Sequence, residues 1–189
     1  MARWEPDART RLRRAALELY AERGFEQTTV AEIAERAGVT ERTFFRHFAD
    51  KREVLFVDSA QHVQTLKDVI AAAPSSVGPI DAVVEAVIEA SSSFEYEISQ
   101  PRSVVIAATP MLQERELLKL ASWGAVAADA LRKRGVPDPT AELAAQAAIA
   151  VFRTGFDQWT SGDGSTTLAH HIRAAHADLK AALSGPKHR

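Results

Sequence analysis

The 189-residue chain contains no cysteine. That excludes a disulfide framework, a cysteine-ligated metal site and a catalytic thiol, and it fits a reducing compartment, here expected to be the cytoplasm. Nowhere does the chain hold the roughly 18 uninterrupted apolar residues that a bilayer span needs. Its start, Met-Ala-Arg-Trp-Glu-Pro, lacks the apolar stretch of a secretory leader, so neither export nor membrane insertion is expected. Enzyme signatures are missing too: there is no P-loop, no dinucleotide fingerprint and no Gly-x-Ser-x-Gly elbow, and the SGDGS run at 161–165 reads as a turn. His170, His171 and His176 share one helical segment, yet no two stand at i, i+4, the spacing that puts two imidazoles on one face. No catalytic residue, cofactor or metal is therefore expected.

An excess of positive charge is also lacking. Overall, 23 Lys and Arg stand against 25 Asp and Glu, a formal net charge of −2. Residues 1–52 hold eleven basic against nine acidic side chains and the remainder twelve against sixteen, so the basic excess lies at the amino-terminal end. Contacts to phosphate would have to be placed one by one, with no broad basic field to supply them. With 46% apolar residues, a chain of this length can build one small and one larger folded domain.

What is present is concentrated between residues 28 and 51, which read TTVAEIAERAGVTERTFFRHFADK. Val30, Ile33, Ala34 and Ala37 fall at i, i+3, i+4 and i+7, one apolar face of a short helix. Thr29, followed three residues later by Glu32, predicts a capping box at its start. Gly38 ends it, because glycine takes positive φ without a Cβ penalty. Thr40 then caps a second short helix in which Phe44 and Phe48 face inward, while Glu41, Arg42, Thr43, Phe45, Arg46 and His47 fill the remaining circumference. Two helices joined by a short glycine-containing turn make a helix-turn-helix, whose second helix enters the major groove of DNA. An ordinary αα-hairpin has the same outline, and the flanking residues decide between them.

Upstream, Leu12, Ala15, Ala16, Leu19 and Tyr20 form a helical stripe that runs into Glu22-Arg23-Gly24-Phe25; downstream comes His47-Phe48-Ala49-Asp50-Lys51-Arg52-Glu53-Val54-Leu55. Taken with Thr28, Thr29, Ile33, Ala34, Gly38, Val39 and Thr43, the run 12–55 resembles the TetR family of bacterial transcriptional repressors. The resemblance covers about a quarter of the chain. It implies an all-α fold of about nine helices, with a helix-turn-helix DNA-binding domain at 1–52 and a larger effector-binding and dimerisation domain at 53–189. The implied partner is a double-stranded DNA operator. Glu41, Arg42, Thr43 and Arg46 are the candidates for base edges, and Thr29, Phe45, His47 and Lys51 for the phosphate backbone. Phe45 is a departure, since the family usually carries a tyrosine there and its hydroxyl commonly reaches a phosphate.

Beyond residue 50 the pattern is helical, with breaks at 74–79, Gln100-Pro101, Thr109-Pro110, 135–139 and 161–165. Asp50 with Glu53 predicts the cap of a long helix reaching about residue 73, and further helices are expected over 80–98, 102–108, 111–134, 140–161 and 166–183. Along 141–159 apolar residues appear on nearly every face, and the next segment carries the stripe Leu168, Ile172, Ala175, Leu179, Ala182. Small residues on both segments permit close approach. Either these helices pack within one chain or, as in similar proteins, two copies pair them into a four-helix bundle; a homodimer is the expected state, and it would read a palindromic operator.

In look-alikes the larger domain encloses a small molecule. The apolar candidates for such a pocket are Phe56, Leu66, Phe94, Met111 and Leu112, joined by the rings of Trp123, Phe152, Phe156 and Trp159. His62, Arg153 and Gln158 are the polar handles. Few charges suggest a hydrophobic or acyl effector, whose identity the sequence leaves open. The resulting expectation is a dimeric, ligand-responsive repressor. The alternatives are a transcriptional activator or protein-interaction member of the same family and, from another class, an all-helical small-molecule enzyme.

Overall fold

The computed structural model describes residues 7–56 and 59–184, Ser59 by its backbone alone. Among the described residues there are nine α-helices, one 3-10 turn and no strand, the all-α architecture the sequence predicts. Helix α1 (Ala8–Arg23) starts where the Asp7 carboxylate accepts the Thr10 N–H at 2.8 Å, and it stops at Gly24, whose φ is 84°. Helix α2 (Val30–Arg36) opens on the expected capping box: the Thr29 N–H donates to Glu32 Oε2 at 2.8 Å and the Glu32 N–H to Thr29 Oγ1 at 3.3 Å. Gly38, at φ 66°, turns the chain, and the Val39 N–H returns to the Ala34 carbonyl at 2.9 Å. Helix α3 (Glu41–His47) begins on Thr40, whose hydroxyl accepts the Thr43 N–H at 3.2 Å; Phe44 and Phe48 are buried beneath it.

Two expectations about the later helices are corrected. No single long helix starts at Asp50. A 3-10 turn, Glu53–Leu55, precedes α4 (Ser59–Ala72). Val54 and Leu55 of this turn and Phe56 just after it are all buried in the core of the first unit. Nor does Gln100-Pro101 break the chain, since α6 (Tyr96–Ala107) runs straight through Pro101. So early in the helix, proline deprives only the Glu97 carbonyl of its donor, and Glu97 is exposed to water.

Helix α5 (Pro79–Ala90) is shorter than its apolar pattern, because the Ser91 hydroxyl donates back to the Val87 carbonyl at 2.7 Å and the chain turns there. Helices α7 (Pro110–Lys133), α8 (Asp138–Ser161) and α9 (Leu168–Ser184) lie close to the expected ranges.

The described residues pack as two compact units: one takes them from Met1–Asp58 and Glu97–Glu114, the other from Ser59–Tyr96 and Arg115–Arg189. These units do not coincide residue for residue with the domains expected at 1–52 and 53–189. In the first, Leu12, Leu19, Ile33 and Phe44 share a core with Leu55, Val105, Ile106 and Leu112, so most of α6 packs with the helix-turn-helix. In the second, α4, α5, α8 and α9 pack side by side around Leu66, Ile70, Val83, Val87, Ala148 and Ile172. Tyr96 pins the α8–α9 turn, its hydroxyl donating to the Gly162 carbonyl at 2.5 Å. No helix among the described residues is long and apolar enough to cross a membrane.

Asp50 illustrates how the first unit depends on carboxylates. The Arg52 guanidinium, assisted by the backbone N–H groups of Arg52 and Glu53, holds its carboxyl below the usual range against an opposing effect of partial burial. A carboxyl whose folded-state pKa is depressed stabilises the fold fully above its unfolded value and gives that up as pH falls through the folded one. The first unit is therefore expected to lose stability on acidification below about pH 4. Urea midpoints at successive pH values check this, and Asp50→Asn should weaken the dependence.

Candidate nucleic-acid interface

Helix α3 is fixed from below and open above. Phe44 is fully buried and stands 5.5 Å from both the Phe48 ring and, edge-on, the Phe45 ring. On the outer side Glu41, Arg42, Phe45 and Arg46 are exposed, Phe45 at 56%. Thr43 is half-buried, its hydroxyl 3.1 Å from that of Thr40. The four candidate base-reading residues thus sit on one short helix, three of them in solvent.

The basic side chains around it divide into committed and uncommitted groups. Arg23 pairs with Glu32 at 2.5 Å, tying α1 to α2. Arg36 holds Glu22 through two bonds of 2.9 Å and reaches Glu18 at 3.4 Å. Arg42 and Arg46 form no ion pair among the described residues. A guanidinium without an internal partner keeps all five donors in their planar fork, the geometry that meets guanine O6 and N7 or a phosphate.

Lys51 is placed otherwise than its candidate role on the phosphate backbone requires. Its ammonium donates to the carbonyls of Phe25 at 2.8 Å, Thr28 at 2.9 Å and Glu26 at 3.2 Å, and it lies 4.4 Å from the centroid of the Phe25 ring. All three donors are spent on the turn between α1 and α2. The Lys51 carbonyl in turn accepts the buried Tyr20 hydroxyl at 2.6 Å, and burial pushes that phenol's pKa up. The lysine locks the turn that sets α2, and so α3, against α1.

The other backbone candidates differ among themselves. Thr29 is exposed, but its hydroxyl already donates to Glu32 Oε2 at 2.9 Å within the capping box. Phe45 has no donor to offer a phosphate, and its exposed ring suits apolar contact. His47 is half-buried, and its Nε2 is closed off from solvent with no hydrogen-bond partner among the described residues. Only its other ring nitrogen can serve a phosphate without a rotation of the side chain.

The candidate pocket residues fall into two groups. Phe56 and Leu112 belong to the core of the first unit, where the Arg102 guanidinium covers the Phe56 ring at 5.2 Å; Met111 is half-exposed beside Arg52. Phe56 and Leu112 thus pack in the same core as the helix-turn-helix. The second unit brings most of the others together. His62 on α4 meets Phe94 at 5.3 Å and Trp123 at 5.7 Å; Trp123 meets Phe152 at 5.6 Å, Phe152 meets Phe156 at 5.9 Å, and Phe156 returns to Phe94 at 6.3 Å. Five rings therefore form a closed circuit; fully buried Leu66 belongs to the same core cluster as Trp123, Phe152 and Phe156. Trp159 touches Phe156 at 6.0 Å but gives its N–H to the Thr166 carbonyl at 3.0 Å, anchoring the α8–α9 turn. Arg153 is exposed on α8 and acts on Asp157. A feature absent from the sequence reading is a cleft of 530 Å³ within the first unit, between the Tyr20–Gln27 stretch and Pro101 and Val104 of α6, with Ala108 just beyond that helix.

Comparison with known proteins completes the description. Residues 12–57 match the model for bacterial regulatory proteins of the tetR family, and residues 77–184, more than half of the chain, match that for the MftR C-terminal domain. A protein of Mycobacterium tuberculosis (strain ATCC 25618 / H37Rv), named for a role as mycofactocin biosynthesis transcriptional regulator MftR, is 28% identical over 173 residues, 89% of this chain and 87% of its own. The solved structure of Thermus thermophilus FadR, a TetR family transcriptional repressor in complex with lauroyl-CoA, aligns with a TM-score of 0.53 at 24% identity, covering 96% of each chain. A SmeT–triclosan complex aligns with a TM-score of 0.61 at 20% identity over 93% of this chain and 90% of its own. At these identities the two structures speak for the fold.

Proposed function

This chain belongs to the tetR family of bacterial transcriptional regulators, and on that premise we propose that it represses transcription as a homodimer on a palindromic operator until a small, mainly apolar effector releases it. The observation that carries the reading is α3 itself: a buried phenylalanine floor beneath a solvent-facing row in which Arg42 and Arg46 form no ion pair among the described residues. Glu41, Arg42, Thr43 and Arg46 face the base edges, with Arg42 or Arg46 bidentate to guanine. Thr29 and His47 approach the backbone, and Phe45 adds apolar contact. Residues 1–52 serve DNA and 53–189 serve effector and self-association, although 97–114 pack with the DNA-binding helices.

The five-ring circuit of the second unit receives the effector. FadR bound to lauroyl-CoA, whose acyl chain is apolar, and SmeT bound to triclosan support a ligand with a substantial apolar part. In the proposed dimer α8 and α9 pair with their copies, and exposed Leu143 on α8 provides apolar surface for it. The protein acts in the cytoplasm and requires no cofactor. Because the effector works only by binding the DNA-released state more tightly, a preference of about 1–3 kcal/mol suffices. A reporter driven by the promoter region next to its own gene tests the sign: deleting the regulator should raise expression, whereas a fall would identify an activator.

A further inference from the structure

Resting on the effector reading above, we propose that the effector is an uncharged, largely apolar molecule with one hydrogen-bond acceptor, a carbonyl or its equivalent, and that the indole N–H of Trp123 receives that acceptor. Trp123 is 3% exposed, and its Nε1 is shut off from solvent with no hydrogen-bond partner among the described residues. Two other buried ring donors among the described residues are satisfied, whereas His47 Nε2 is closed off in the same way as Trp123 Nε1. Trp159 donates to the Thr166 carbonyl at 3.0 Å and Tyr20 to the Lys51 carbonyl at 2.6 Å. A donor taken out of water and left without an acceptor is costly, and in native proteins such groups are few and call for a specific reason. Indole is a donor only, so the group that relieves it must be an acceptor.

The surroundings fix the rest of the ligand's chemistry. Trp123 stands between His62 and Phe152 in the circuit closed by Phe94 and Phe156, and no member of the circuit carries a fixed charge. The charged side chains Arg153 and Asp157 of α8 are exposed. An ionic group placed among the five rings would lose its hydration with no counter-charge to replace it, whereas an apolar body packs against ring edges and faces. The acceptor then orients a ligand that would otherwise bind by shape alone.

The matched probes 9-fluorenone and fluorene, which differ only in the carbonyl, test this on the full-length protein by equilibrium dialysis. Fluorenone is expected to bind at least tenfold more tightly, which is about 1.4 kcal/mol. Trp123→Phe should remove that advantage, bringing the two probes to equal affinity. In the wild-type protein, whatever the fate of the variant, the ¹⁵N-labelled indole resonance of Trp123 should move downfield with fluorenone and not with fluorene. Equal binding of both probes without that movement overturns the acceptor while leaving the ring circuit as the effector site. Binding of neither probe overturns both.

Discussion

Gly155→Ala is expected to destabilise the protein, although alanine is the better helix former by about 1 kcal/mol. A Cβ built on Gly155 would lie 2.8 Å from both the Cα and the N of Ile172 and 2.9 Å from the carbonyl carbon of His171. All three are backbone atoms of α9, so no side chain can swing aside; α9 itself would have to move away from α8. Gly155→Val adds two methyls in the same space, and its cost should reach roughly 3 kcal/mol, the upper part of the range for overpacked cores. Urea unfolding followed by circular dichroism reads the order wild type, alanine, valine. If the alanine variant were the more stable, propensity would be outweighing packing, and the contact between α8 and α9 would be looser than described.

Lys51→Met removes three charge-assisted bonds to carbonyls and the cation over Phe25 while keeping a stem of similar length. Hydrogen bonds to charged groups each contribute about 1.5–3 kcal/mol when buried, and these are partly exposed, so a loss of roughly 2–3 kcal/mol is expected for the set. Binding to DNA should weaken alongside stability. The slope of log K against log salt should stay as in the wild type, since a lysine with its donors in the α1–α2 turn releases no counterion from a phosphate. A variant of unaltered stability whose slope falls by about one phosphate's worth would instead put Lys51 on the DNA.

Lys51 also marks the limit of what a sequence reveals. The capping box at Thr29 and Glu32, the turn at Gly38 and the inward faces of Phe44 and Phe48 are local matters, governed by residues within four positions of each other, and the structure reproduces them. The target of Lys51 is not local, because it depends on where the carbonyls of Phe25, Glu26 and Thr28, more than twenty residues away, come to rest. The same holds for the pocket. Aromatic spacing on α8 places Phe152 and Phe156 together, but that Phe56 and Leu112 join a different core follows from α6 packing with the helix-turn-helix, which no periodicity announces. Proline at 101 misleads for the opposite reason: its penalty is real, but at that position it falls on a single exposed carbonyl.

Selection of bound duplexes from a random pool by the purified full-length protein tests most directly whether α3, presented twice, reads DNA. The expected product is an inverted repeat whose half-sites lie about 34–36 Å apart or a multiple of that distance. Arg42→Ala should relax preference at one symmetry-related pair of positions, with discrimination there falling by about 1–3 kcal/mol. Recovery of no shared motif, or of a motif that Arg42→Ala and Arg46→Ala both leave unchanged, would contradict a regulator that reads its operator through this helix.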